Sequence, residues 1–168
     1  MKINDTISLC ETEQAICRGI ARARFSNNRK SGIINKKVGK QSNDETDLEG
    51  FAAEFAFCKL FNVFPDFTVS PRNSNEDAGD AVLPGGLSVD IKVTKYPTGR
   101  LLAVPWKANN VELYALMIGE FPVYTFKGFM RREDLLKEER LGNLGYGQTY
   151  IAQQHELYEL SELMENKE

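Results

Sequence analysis

The chain has 168 residues, of which 42% are hydrophobic and 27% charged, with a net charge of −3. That balance is ordinary for one globular domain, 1–168, long enough to bury a core. It excludes a membrane helix, since no apolar run approaches the roughly 18 residues needed. Met1-Lys-Ile-Asn-Asp-Thr is too polar for a signal region, so a cytoplasmic location without a membrane partner is the expectation. Cys10, Cys17 and Cys58 form no C-x-x-C pair and read as buried reduced thiols. With His155 as the single histidine, they argue against zinc, a Ser-His-Asp triad and histidine-metal nucleases.

In chain order, Ser8-Leu-Cys-Glu11 fits a capping box that opens a helix over about 8–26, striped by Ile16, Ile20 and Ala23. From Arg18 to Lys40 the cations Arg18, Arg22, Arg24, Arg29, Lys30, Lys36, Lys37 and Lys40 occur with no acid between them. The acids gather elsewhere, from Asp44 to Glu54 and from Glu156 to Glu168. Such asymmetry in an acidic chain suits a phosphate-facing patch, with a solvated basic helix as the plain alternative. Asn27 to Asp44 reads as a mobile arm that orders on a ligand.

Thr46-Asp-Leu-Glu49 is a second capping box, opening a helix to about Phe61 whose broad apolar surface makes it central to the core. Glu54 lies on it. Strands follow near 68–70, 80–83, 87–93, 100–104, 112–118 and 123–126, separated by turn residues. A helix over 132–140, a Gly-rich loop, a strand at 149–152 and a last helix from about His155 complete the chain. Helices first and then strands predict an α+β or mixed α/β layer with one central sheet.

The most informative segment is Asp77-Ala-Gly-Asp80-Ala-Val-Leu-Pro-Gly-Gly-Leu-Ser-Val-Asp90-Ile-Lys92-Val, which reads as a hairpin. Alternation puts Asp90 and Lys92 on one face of its second strand and Val89, Ile91 and Val93 on the other. Two carboxylates and an ammonium on one sheet edge suit a divalent cation with a water beside it. Acid-x-lysine alone says little: Glu165-Asn-Lys167 repeats it in a polar tail. A surface strand with a lysine–carboxylate pair is the bland alternative.

Over about 46–118 the chain resembles the PD-(D/E)XK nuclease superfamily, through the helical Glu54, Asp80 opening a strand, and Asp90-x-Lys92 on the next. Gly79-Asp-Ala-Val, Val-Asp-Ile-Lys-Val-Thr-Lys95 and Thr98-Gly-Arg-Leu-Leu-Ala103 are similar to small nucleases of phage or mobile-element type. Gly79 stands where the pattern has proline, and Asp77 competes with Asp80, which is preferred because it begins the alternating strand. The resemblance implies a restriction-endonuclease-like mixed β-sheet flanked by helices. It also implies a metal-dependent endodeoxyribonuclease that leaves a 5′-phosphate, in a host cytoplasm for a phage-encoded chain. Magnesium, replaceable by manganese, takes hard oxygen ligands. Asp80, Asp90 and the Ile91 backbone carbonyl would bind it, Glu54 would hold a second metal or a metal-bound water, and Lys92 would position the attacking water.

DNA is the expected partner, contacted by the basic stretch and by Lys95 at the strand end. Thr94 continues the Asp90/Lys92 face, and Tyr96, Trp106 and Lys107 suit either base stacking or the edge of a core. Cutting both strands of a duplex calls for two sites, so a homodimer is one expected arrangement. Gly142-Asn-Leu-Gly-Tyr-Gly147-Gln-Thr149 imitates a phosphate-binding loop, but Gln148 replaces its lysine and a polar helix end precedes it, so no nucleotide cofactor is expected. The rival readings are a non-catalytic nucleic-acid-binding or inhibitor protein on the same fold and a protein-binding module.

Overall fold

The computed structural model describes residues 2–30, 43–69, 79–105, 110–145 and 147–165. Among these residues four α-helices form: α1 (Glu11–Lys30), α2 (Asn43–Phe61), α3 (Arg132–Leu135) and α4 (Leu160–Glu165). The first four strands are β1 (Thr6–Ser8), β2 (Ala81–Val82), β3 (Ser88–Thr94) and β4 (Leu101–Ala103). They are followed by β5 (Leu113–Glu120), β6 (Val123–Arg131), β7 (Leu141–Asn143) and β8 (Gln148–Ala152). Among the described residues no helix is long and apolar enough to cross a membrane.

The fold is mixed α/β, with a five-stranded mixed sheet in the order β1-β6-β5-β3-β2. Within it β3 and β5 run parallel, while β2–β3, β5–β6 and β1–β6 are antiparallel. This is the central sheet that the sequence predicts, and β4, β8 and β7 form a second, three-stranded sheet beside it that the sequence reading does not include. Alternation along β5 explains both layers. Leu113, Ala115 and Met117 join the α2 core, whereas Tyr114, Leu116 and Ile118 pack with Leu101, Ala103 and Ala152 of the second sheet. A strand buried on both faces reads as a continuous apolar run, as Leu113–Ile118 does.

Helix α2 is the hub, as its composition predicts. Phe51, Ala52, Ala53, Phe55, Ala56, Phe57, Cys58 and Leu60 are all buried. The Phe57 ring stacks on Phe61 at 4.5 Å and meets Phe129 edge-on at 5.9 Å. Burying such rings supplies much of the apolar stabilisation of the domain.

Several local expectations are displaced. Neither predicted capping box forms as drawn: Ser8 ends β1, and Glu13 instead accepts from the Cys10 N–H at 2.7 Å. Thr46 lies inside α2, and Glu49 accepts from Tyr124 Oη at 2.8 Å and from the Phe121 N–H, tying α2 to the β5–β6 turn. Helix α1 continues to Lys30, through residues expected to begin the arm, while 31–42 lie outside the described residues. Thr68 and Val69 are irregular rather than strand, and Ser70 is outside the described residues. The helix expected over 132–140 is a single α turn and a 3₁₀ turn, Glu138–Arg140. The glycine-rich imitation of a phosphate loop is a β7–β8 hairpin, in which buried Thr149 Oγ1 donates to the Ala103 carbonyl at 3.1 Å.

Candidate functional site

The β2–β3 hairpin brings three of the four predicted chemical groups to the sheet edge. Asp90 is 1% exposed, and its Oδ1 meets Lys92 Nζ at 2.5 Å. Both project from the face that carries Tyr114 and Leu116, their parallel neighbours on β5. The Lys92 side chain as a whole remains about one-third open to solvent, with an exposure of 35%. A buried carboxylate with a partner of its own strand is thus presented beside water.

Asp80 stands just outside β2. Continuing the Ala81–Val89 register by one residue sets it opposite Asp90. Its Oδ2 accepts from the Ile91 N–H at 2.8 Å, taking the place that a strand's carbonyl would fill. In an extended strand the N–H and C=O of one residue point to the same edge, so the Ile91 carbonyl faces that edge too. Gly79 prepares this entry with φ +88°, a region closed to proline. A Cβ there would lie 2.7 Å from the Val89 oxygen and 2.8 Å from Val111 Cγ1. Position 79, as the chain folds here, therefore takes glycine and not proline.

Glu54 is held elsewhere. Its Oε2 accepts from Arg24 Nη1 at 3.1 Å in a partly buried pair. The other donors of Arg24 reach the carbonyls of Asp66 at 2.9 Å and Thr68 at 3.1 Å, and its guanidinium lies over the Phe51 ring at 4.6 Å. Arg24, expected as a phosphate contact, is therefore a strut between α1, α2 and the 66–68 segment. Helix α2 packs on the Val89 and Ile91 face of β3, the opposite face from Asp90 and Lys92.

Asp80 lies between these two groups of charges. Burial and then the charges of Glu54, Asp80 and Asp66 push the Cys58 thiol up to about 12. Asp66 is an acid near α2 that no sequence signal marks. Asp66 and Asp80 also line a cleft of about 720 Å³ between residues 64–68 and 79–82.

Magnesium is commonly held by one or two carboxylates, with waters and phosphate oxygens completing its shell. Asp80, Asp90 and the Ile91 carbonyl fit that donor set. Among the described residues, no group of three or more His, Cys, Asp or Glu side chains is placed to hold a metal ion. A meeting of Glu54 with Asp80 and Asp90 around one ion is therefore not an arrangement that these residues form.

Of the remaining predicted contacts, Arg18, Arg22, Arg29 and Lys30 are exposed on α1. Arg18 lies over Phe121 and Arg29 over Phe25, each at 4.9 Å. Lys95 is exposed beyond the end of β3. Lys36, Lys37 and Lys40, like Asp77, Trp106 and Lys107, fall outside the described residues.

No curated protein matches the chain. Residues 3–125, a span that holds Glu54, Asp80, Asp90 and Lys92, match the model of a family of unknown function, DUF5843, and the chain belongs to that family.

Proposed function

We propose that this chain is a magnesium-dependent endonuclease that hydrolyses DNA phosphodiester bonds at the β2–β3 edge. The observation that supports it is the grouping of Asp90, paired with Lys92 at 2.5 Å, and Asp80, anchored on the Ile91 N–H. Asp80, Asp90 and the Ile91 carbonyl would hold the metal, which when bound supplies Lewis-acid polarisation and a more acidic water. Buried Asp90 holds the Lys92 ammonium in place. The exposed part of Lys92 presents positive charge to phosphate oxygens and hydrogen-bonds the attacking water, stabilising charge that grows in the transition state. In this reading Glu54 would hold a metal-bound water while its Oε2 accepts from Arg24. The exposed cations of α1 are offered as backbone contacts.

The test is cleavage of plasmid and of single-stranded DNA in Mg²⁺, in Mn²⁺ and in EDTA by wild type, Asp90→Asn and Lys92→Ala. Cleavage that needs the metal and falls about 10²- to 10³-fold in each variant is the expected result. Undiminished cutting by both variants, purified free of contaminating nuclease, sinks the reading. The Arg24–Glu54 bond favours one rival, a nucleic-acid-binding protein that does not cut. DNA binding that EDTA leaves unchanged, with no product in either metal, would select it.

A further inference from the structure

Just beyond β3 the chain makes a turn that is fastened more firmly than its exposed position demands. The Gly99 N–H donates to the Tyr96 carbonyl at 2.8 Å, closing Tyr96-Pro97-Thr98-Gly99 as a β-turn with proline second and glycine last. Gln154 Nε2, two residues beyond the end of β8, donates to both the Pro97 and Gly99 carbonyls at 2.8 Å. Gly99 is packed against β3 so closely that a Cβ would lie 2.2 Å from Thr94 Cγ2. What this rigid turn carries is not core. Tyr96 is 64% exposed, and exposed Lys95 sets its ammonium 5.8 Å from the centre of the ring.

Along the sequence, the stretch that holds this turn carries charge of one sign. Between Asp90 and Glu112 the chain carries Lys92, Lys95, Arg100 and Lys107 and no acid. Lys92 and Thr94 share one face of the strand that leads into the turn. An exposed ring with a cation beside it, on a turn that loses little freedom when a ligand arrives, suits an unpaired base and its phosphate. Bases inside a duplex keep their faces stacked on one another and offer none to a side chain.

We infer that the 95–99 turn is a stacking platform for single-stranded nucleic acid, with the Tyr96 ring on a base and Lys95 on the neighbouring phosphate. The inference takes its place beside Lys92 from the nuclease reading and adds to it the class of substrate, an unpaired strand. Gln154 is a positioning residue that fixes the turn without touching the ligand.

The experiment is fluorescence anisotropy of labelled oligothymidylate, and of a duplex of equal length, in EDTA so that nothing is cut. Wild type is expected to bind the single strand more tightly than the duplex. Tyr96→Ala should weaken single-strand binding about tenfold, whereas Tyr96→Phe should keep it, since stacking needs the ring and not the hydroxyl. Lys95→Ala should reduce the slope of log affinity against log salt by about 0.7. Gln154→Ala should weaken binding less than Tyr96→Ala while leaving that salt slope unchanged. Tighter binding of duplex, or equal binding by wild type and Tyr96→Ala, overturns the platform. A protein that cuts in Mg²⁺ but is indifferent to Tyr96 loses the platform and keeps the nuclease reading. One that binds single strands through Tyr96 yet never cuts keeps the platform and loses the nuclease.

Discussion

The two faces of the central sheet hold their acids in different company. On the α2 face, Glu54 is bound by an arginine from another helix, and the same guanidinium fastens the carbonyls of Asp66 and Thr68. On the other face, Asp90 is bound by a lysine of its own strand, whose side chain is partly exposed. Arginine keeps its charge at all working pH values and its planar fork fixes several acceptors at once, whereas a lysine ammonium on a flexible stem reorients easily. One acid is therefore built into the frame, and the other is held by a partner that can turn toward a ligand. A carboxylate's environment, more than its presence, separates a structural ion pair from a chemical one.

The largest effect expected from this contrast is on stability. Arg24→Ala removes an ion pair, two further hydrogen bonds and the contact with Phe51, and should cost about 2–3 kcal/mol, discounted for partial exposure. Calorimetry should show that as a fall of roughly 5–10 °C in the melting temperature. An unchanged melting temperature would break the comparison at its stronger end. Lys92→Ala should cost only about 1–2 kcal/mol in denaturant titration, because water can reach the vacated place. If its cost exceeds that of Arg24→Ala, the two faces have been ranked in the wrong order.

Thiol labelling sharpens the same contrast. In native protein only Cys10, which is exposed, should react, since Cys17 and Cys58 are buried and each is pushed up to about 12, first by burial. Arg24→Ala should speed the labelling of Cys58, next to the strut, more than that of Cys10.

The smallest effect concerns Glu156, held below its ordinary value of 4.5 first by the Gln153 N–H and, against burial, by Arg140. A depressed folded value means stability that is present above 4.5 and lost as pH falls through the folded value. The melting temperature of Glu156→Gln should therefore lie below that of wild type near about pH 7, and the gap should close in acid. A gap that widens in acid reverses the sign and refutes the assignment.

What could be read from the sequence follows the range of the interactions. Asp90, Lys92 and the inward Val89 and Ile91 were legible because alternation is a property of neighbouring residues. Central α2 was legible from its aromatic and small apolar surface. The Arg24–Glu54 pair was not, because it depends on how two helices pack. Arg24 looked like one more member of a basic run, and only the fold distinguishes a strut from an exposed cation. Three-residue β1 and β7 left no pattern to read, and although β4 was legible as a strand over 100–104, the sheet that it joins is decided by β8, far along the chain. The second capping box failed for a related reason: Glu49 bonds Tyr124 and the Phe121 N–H, and tertiary partners outweighed a local cap.

Asp80's bond to the Ile91 N–H has a consequence for solubility. Edge strands with open ladder groups recruit strands from other molecules and so seed aggregation. β2 pairs β3 only at Val89 and Ser88, so among the described residues the ladder on that side stops short. An incoming strand would have to place its carbonyl where the Asp80 carboxylate already sits, and two oxygens cannot share one N–H at close range. The sheet is thus sealed at Ile91 by a charge rather than by another strand.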